Sequence, residues 1–152
     1  MASDVPQLLQ YKRSRFSTRL PIGLLYTASH YWLAKQYDGS WRIGFTKFAA
    51  RMLGELVEFG FEVKPGDPVK VGQVIGWVEA FKAMSDVFAV VEGEFAGVNE
   101  ALQANTELAQ TDPYGAGWLY AARGTPEPNA VDVHGYVGIL DGAIDKIQDK
   151  TP

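Results

Sequence analysis

Cysteine is missing from this sequence of 152 residues. Its absence excludes disulfide bonds, thiolate metal sites and a cysteine nucleophile. If the protein takes part in thiol chemistry, the reacting sulfur therefore has to come from a cofactor.

Long apolar runs are also missing. No run approaches the length of a membrane-spanning helix, and the basic segment near the N-terminus is followed by an apolar run too short for a signal peptide. We therefore expect a cytoplasmic protein with no membrane partner. The formal net charge of −4 argues against a nucleic-acid partner. The composition, 47% hydrophobic and 21% charged, is typical of a globular domain, and the length fits one domain.

The usual signatures of an independent enzyme are absent too. The sequence has no phosphate-binding glycine loop, no cluster of metal ligands and no nucleophile-elbow pattern. His30 lies between strand-like residues and has no partner nucleophile nearby in sequence, so we interpret it as a packed or surface histidine. Glu55, Glu58 and Glu62 are typical of a solvated strand face. We predict a protein without a catalytic residue of its own.

The most informative stretch runs from Gly76 to Val91, with Lys82 at its centre. Val, Phe and Trp on both sides of the lysine favour strands, and Ser85-Asp86 supplies turn chemistry between them. This pattern predicts a β-hairpin with Lys82 at or beside its tip. A lone exposed lysine usually serves only solubility.

An internal repeat around this hairpin argues against that interpretation. The pattern V-x-x-G-x-φ-x-G-φ-x-E-A occurs from Val69 to Ala80 and again from Val90 to Ala101. Repetition predicts two related units, with turns or bulges at matched glycines and Lys82 in the connection between the units.

The motif E-A-F-K-A-M-S-D, with Gly66 before it and Gly93 after it, resembles the lipoyl-attachment motif of the glycine cleavage system H-protein family. Further segments match in the same order, and together they cover most of the chain: Y-T-x-S-H-Y-W at 26–32, G-F-T at 44–46, L-G-E at 53–55, V-N-E-A-L at 98–102 and D-P-Y-G-A-G-W-L at 112–119. The family has T-D-H-A where this chain has T-K-F-A at 46–49.

The resemblance implies a mainly β fold, a lipoyl-type barrel-sandwich hybrid (hammerhead) with short helices and a C-terminal helix. It implies covalent lipoate on Lys82 as a swinging arm, attached by a lipoate ligase or another lipoylation enzyme. Glu79 and Asp86 flank the lysine and are either contacts for that enzyme or ordinary solvated carboxylates. Biotinyl sites place methionines on both sides of the lysine, so Phe81 and Ala83 favour lipoate over biotin.

Two pathways fit such a carrier. Segments beyond both ends of the family's motifs, together with the sequence around the lysine and D-V-H-G-Y-V at 132–137, resemble the H-protein-like lipoate-binding proteins of the sulfur-oxidising heterodisulfide-reductase-like system. There the arm would carry sulfur intermediates and a heterodisulfide-reductase-like complex would be the partner. The alternative is an H protein that carries the aminomethyl group between glycine cleavage enzymes. A second alternative is a β-rich docking protein with an unmodified lysine.

The sequence divides into three parts. We predict an N-terminal arm over residues 1–23, a lipoyl domain over 24–123, and a linker with a C-terminal helix over 124–152 that packs on it. Within the domain we expect strands at 24–33 and 41–45 joined through Asp38-Gly39, a helix at 46–53 capped by Thr46 and Gly54, and a turn of helix starting at Asn99.

Overall fold

The structure is a computed structural model that describes residues 7–149. The described part contains strands that form three antiparallel sheets, together with helices that are mostly short. The strands are β1 Leu8–Arg13, β2 Phe16–Pro21, β3 Leu25–Tyr26, β4 Tyr31–Lys35, β5 Trp41–Phe45, β6 Leu56–Phe61, β7 Pro68–Val69, β8 Val74–Ala80, β9 Met84–Phe88, β10 Val91–Val98 and β11 Tyr120–Pro126. The helices are α1 Lys47–Leu53, α2 Glu100–Ala104, α3 Leu108–Thr111 and α4 Val133–Asp149.

Two sheets enclose the main core. One has six strands in the order β3-β4-β5-β11-β10-β7, and the other has three in the order β6-β8-β9. Apolar residues of both sheets form one buried cluster, in which Leu33, Ile43, Ile75, Val78 and Val87 are fully buried. Burial of these side chains supplies the main favourable term in folding. The predicted fold class, mainly β with short helices and a C-terminal helix, is confirmed.

Local turn and cap chemistry accounts for several elements. Asp38 Oδ1 accepts bonds from the Ser40 amide and hydroxyl, and Gly39 has φ +84° in the β4–β5 turn. Thr46 Oγ1 accepts a bond from the Ala49 amide at the start of α1. Asn99 caps α2 in the same way, by accepting a bond from the Ala101 amide. These predicted caps and this turn are confirmed.

The predicted single strand over 24–33 is wrong. The chain forms two short strands there, β3 and β4, which pair through a tight turn. The His30 amide donates to the Thr27 carbonyl, and His30 itself has φ +70°. Thr27 Oγ1 accepts a bond from the Tyr31 amide and contacts the Ser29 hydroxyl, so polar side chains stabilise a turn inside an apolar stretch.

The internal repeat corresponds to structure only in part. Gly76 in β8 and Gly97 in β10 both lie at a shift in strand register, so the predicted matched bulges occur there. The two copies then diverge. The first ends inside β8, whereas the second enters α2 because the Asn99 side chain caps a helix.

Residues 8–21 form the hairpin β1–β2, although the sequence predicted only an arm. This hairpin packs with α4 around a second core, and we call β1, β2 and α4 the terminal layer. The second core buries Tyr11, Phe16, Leu20, Tyr26, Trp32, Phe48, Val133, Tyr136, Leu140 and Ile144. The predicted linker also begins later than expected, because Gly124–Pro126 belong to β11. The first six residues of the predicted arm lie outside the described residues.

Helix α4 buries one apolar face, made of Val133, Tyr136, Leu140 and Ile144, in this second core. Across residues 7–149, no helix is long and apolar enough to cross a membrane.

Candidate functional site

Lys82 lies in a short turn between two paired strands. Strands β8 and β9 pair antiparallel, and the Ala80 amide donates to the Ala83 carbonyl across the turn at 2.9 Å. Phe81, Lys82 and Ala83 are all exposed. The position of Lys82 at a hairpin tip therefore agrees with the sequence prediction. Ser85 and Asp86 were expected to form the turn, but they lie in β9 and pair with β8.

The backbone of this turn is held by the segment between α1 and β6. The Lys82 amide donates to the Leu53 carbonyl at 2.8 Å, and the Phe81 amide donates to the Glu55 carbonyl at 2.8 Å. Lys82 Nζ donates to the Arg51 carbonyl at 3.2 Å. The L-G-E motif at 53–55 therefore holds the backbone of the turn, and the lysine side chain extends along the surface.

Gly54 is the residue that lets these two segments approach. Its φ of +81° and ψ of −170° lie in a region that only glycine adopts readily. A Cβ atom at Gly54 would lie 2.9 Å from Lys82 Cγ and 3.1 Å from the Lys82 amide nitrogen. The sequence identified Gly54 as a helix cap but missed this contact. The L-G-E motif at 53–55, one of the segments that carry the resemblance, was the signal that could have pointed to it.

Gln110 of α3 binds the C-terminal end of α1. Its side-chain amide donates to the Gly54 carbonyl at 2.7 Å and to the Ala50 carbonyl at 3.1 Å. Ala50 lies in the last turn of α1 and Gly54 directly follows the helix, so both bonds hold its C-terminal end. Lys47 Nζ in turn donates to the Gln110 carbonyl at 2.6 Å. The support for the Lys82 turn therefore includes α3 as well as α1.

A cleft of about 440 Å³ opens beside the lysine. We call it the Lys82 cleft, and it is lined by Lys47, Arg51, Gly54, Glu55, Phe81, Lys82 and Gln110. Most of its lining surface is apolar, but it carries more positive than negative side chains. Lys82 is thus an exposed primary amine on a turn held by backbone hydrogen bonds, next to an open cleft. This geometry suits the attachment of a flexible covalent arm.

Glu79 and Asp86 lie on one face of the hairpin. Glu79 pairs with Met84, and Asp86 pairs with Trp77. Directly paired residues point to the same side of a sheet, as do residues two apart on one strand. Both carboxylates are exposed, and neither forms an ion pair within residues 7–149. Their role in recognition by a modifying enzyme stays a prediction.

His30 is half-buried and packed, one of the two alternatives that the sequence left open. Its Nδ1 lies 2.8 Å from the Tyr136 hydroxyl, and its ring lies 4.7 Å from the Phe48 ring. Burial lowers the pKa of His30 below its ordinary value. Within the described residues, no group of His, Asp and Glu side chains could hold a metal ion.

Comparisons with known proteins agree with this geometry. The family model described as "Glycine cleavage H-protein" matches residues 24–133. The glycine cleavage system H protein of Shewanella sp. (strain ANA-3) is 36% identical over 127 residues, which cover 82% of this chain and 98% of that protein. The H protein of Shewanella baltica (strain OS155) is 35% identical with the same coverage.

A solved structure shows the same fold. The crystal structure of a glycine cleavage system H protein from Mycobacterium marinum superposes with a TM-score of 0.71 at 35% identity, and the match covers 81% of this chain and 99% of that one. This similarity supports the predicted barrel-sandwich hybrid. The Lys82 turn and its supports fall inside residues 24–133, whereas β1, β2 and nearly all of α4 fall outside.

Proposed function

Because the chain belongs to the glycine cleavage H-protein family, whose members are non-catalytic carriers with lipoate on a lysine, we propose that Lys82 is the lipoyl attachment site. The observation that carries the proposal is the exposed lysine at the tip of a braced hairpin. The lipoyl carboxyl group would condense with Lys82 Nζ to form an amide. That amide retains one N–H, so the bond to the Arg51 carbonyl can persist after attachment.

The protein's own contribution is presentation rather than bond making. When attached, the lipoyl group supplies a dithiolane that can be opened by reduction and can take up a group through sulfur. The bonds from the Phe81 and Lys82 amides fix where the arm begins. Exposure of the side chain leaves the arm free to reach successive partners. We infer that Glu79 and Asp86, on one face of the hairpin, contact the lipoylation enzyme.

The names of the relatives support a role with the glycine cleavage enzymes, in which the arm carries an aminomethyl group. This reading is better supported than the sulfur pathway. Its partners would be the glycine cleavage enzymes together with a lipoylation enzyme.

A second candidate is the sulfur-oxidising heterodisulfide-reductase-like pathway, and the charge of the Lys82 cleft favours it. Acylation removes the charge of Lys82, which leaves Lys47 and Arg51 facing the single carboxylate of Glu55. An aminomethyl adduct carries a cationic amine, whereas a persulfide-type adduct is anionic. Excess positive charge favours an anion.

Turnover with defined partners tests these roles. If the protein is a glycine cleavage carrier, the lipoylated chain will support glycine decarboxylation with the other glycine cleavage enzymes. Failure there, together with efficient reduction of the arm by dihydrolipoamide dehydrogenase as a control for a competent arm, would favour the sulfur pathway. An unmodified chain after expression with a lipoylation system would instead favour the docking protein.

A further inference from the structure

The terminal layer contacts helix α1 along its length. Phe16 of β2 packs on Phe48 of α1, with ring centroids 5.5 Å apart and planes at 88°. The Arg51 guanidinium lies 5.5 Å from the centroid of the same Phe16 ring. Edge-to-face rings and a cation over a ring both add to simple burial. One residue of the hairpin therefore holds two residues of α1.

The terminal layer also contacts Thr46, the residue that caps the start of α1. The Tyr136 hydroxyl of α4 lies 2.8 Å from Thr46 Oγ1, the atom that caps the helix. The same hydroxyl lies 2.8 Å from His30 Nδ1. Tyr136 is fully buried, and its ring stacks on Tyr26 with centroids 4.6 Å apart. Burial and two partners leave this hydroxyl a single position, which fixes the start of α1.

The layer is tied together independently of α1. Tyr11 of β1 donates to Asp141 of α4 at 2.8 Å, and Arg13 makes two bonds to Asp145 at 2.8 and 2.9 Å. The Arg13–carboxylate pair is bidentate, the geometry that orders two elements most strictly. The hairpin and α4 therefore act on α1 as one unit.

The other end of α1 holds the lysine turn. The Arg51 and Leu53 carbonyls accept the two bonds from Lys82, and the Gly54 amide closes the helix by donating to the Ala50 carbonyl. A displacement of α1 along or about its axis moves these acceptors directly.

We infer that the terminal layer positions the Lys82 turn by clamping α1, and that Phe16 and Tyr136 are its positioning residues. Both lie outside residues 24–133, the part of the chain that the family model matches. The significance of the inference for the lipoyl arm rests on the proposed function of Lys82.

Hydrogen exchange of the unmodified protein, followed residue by residue by NMR, tests the inference. Tyr136→Phe removes one hydroxyl and keeps the ring, and Phe16→Leu removes the ring and keeps an apolar side chain. In both variants the amides of Gly54, Phe81 and Lys82 should exchange about two- to tenfold faster, the change expected from loss of one intramolecular hydrogen bond or one aromatic pair. The amide of Val78, at the centre of β8, reports global unfolding for comparison.

Tyr120→Phe is the matched control. It also removes a buried tyrosine hydroxyl with two partners, but these are the Phe88 carbonyl and the Val90 amide, neither of which belongs to the terminal layer or to α1. It should leave exchange at Gly54, Phe81 and Lys82 unchanged. The inference is overturned if Tyr136→Phe and Phe16→Leu leave these amides unchanged, or if they accelerate only in step with Val78. Absence of lipoate from Lys82 would refute the proposed function and would not alter this result.

Discussion

Substitution of Gly54 by alanine tests whether the approach of this residue to Lys82 shapes the site. At φ +81° and ψ −170° an alanine backbone is strained by about 1–3 kcal/mol. The new Cβ would also lie 3.1 Å from the Lys82 amide nitrogen, which is backbone and cannot rotate away. Overpacking of this kind costs about 1–3 kcal/mol, so the total loss should be about 2–4 kcal/mol after partial relaxation.

Gly39 provides the matched control. Its φ is +84°, but a Cβ there would have nothing within 4 Å. Gly39→Ala should therefore show only the backbone strain, about 1–2 kcal/mol. Both changes stiffen the unfolded chain equally, so this effect cancels in the comparison.

Two assays follow these variants. Urea unfolding gives the free energy of unfolding, and intact-mass time courses with a lipoate ligase give the rate of attachment. Because typical domains have about 5–15 kcal/mol of stability, Gly54→Ala should remain folded, and slower attachment would then report a displaced Lys82 turn. Equal destabilisation of the two variants, with wild-type attachment rates in both, would show that the close approach of Gly54 to Lys82 does not shape the site.

Two further predictions concern the second core. Since burial lowers the pKa of His30, the unfolded chain binds more protons than the folded chain, and stability should fall as the pH drops below about 6.5. His30→Asn, which suits φ +70°, should flatten the dependence of the urea midpoint between about pH 6.5 and 5. An unchanged slope in His30→Asn would contradict the assignment. Phe48→Ala should lower the free energy of unfolding by about 3–5 kcal/mol, because it removes a buried ring. Met52→Ala, on the same helix and 50% exposed, should cost less than about 1 kcal/mol, and equal losses would count against a structural role for Phe48.

Sequence predicted the parts of this protein that local chemistry determines. Asp38-Gly39, Thr46 and Asn99 act on residues within a few positions of themselves, so their turn and caps could be read directly. The strand residues around Lys82 likewise predicted the hairpin. Ser85-Asp86 predicted the wrong position for the turn, because the turn is held by carbonyls of residues 51–55 rather than by its own side chains.

The remaining features depend on contacts between distant residues. Thr46 and Tyr136 are 90 positions apart, and Tyr11 and Asp141 are 130 apart. No local pattern in the basic segment before residue 24 indicates that its hairpin pairs with a helix at the other end of the chain. Long-range contacts also explain Phe48, whose ring packs on those of Phe16 and His30 at a position where the family resemblance predicted a polar residue. The terminal layer covers this position and makes an aromatic side chain favourable there.

The most direct test of the account is the mass of the protein after expression with a competent lipoylation system, followed by peptide mapping. We expect one lipoyl group on the peptide that contains Lys82. Lys82→Arg should keep the fold and the positive charge and should show the mass of the bare chain. A bare wild-type chain, or a lipoyl group that persists in Lys82→Arg, would contradict the assignment of Lys82 as the attachment site.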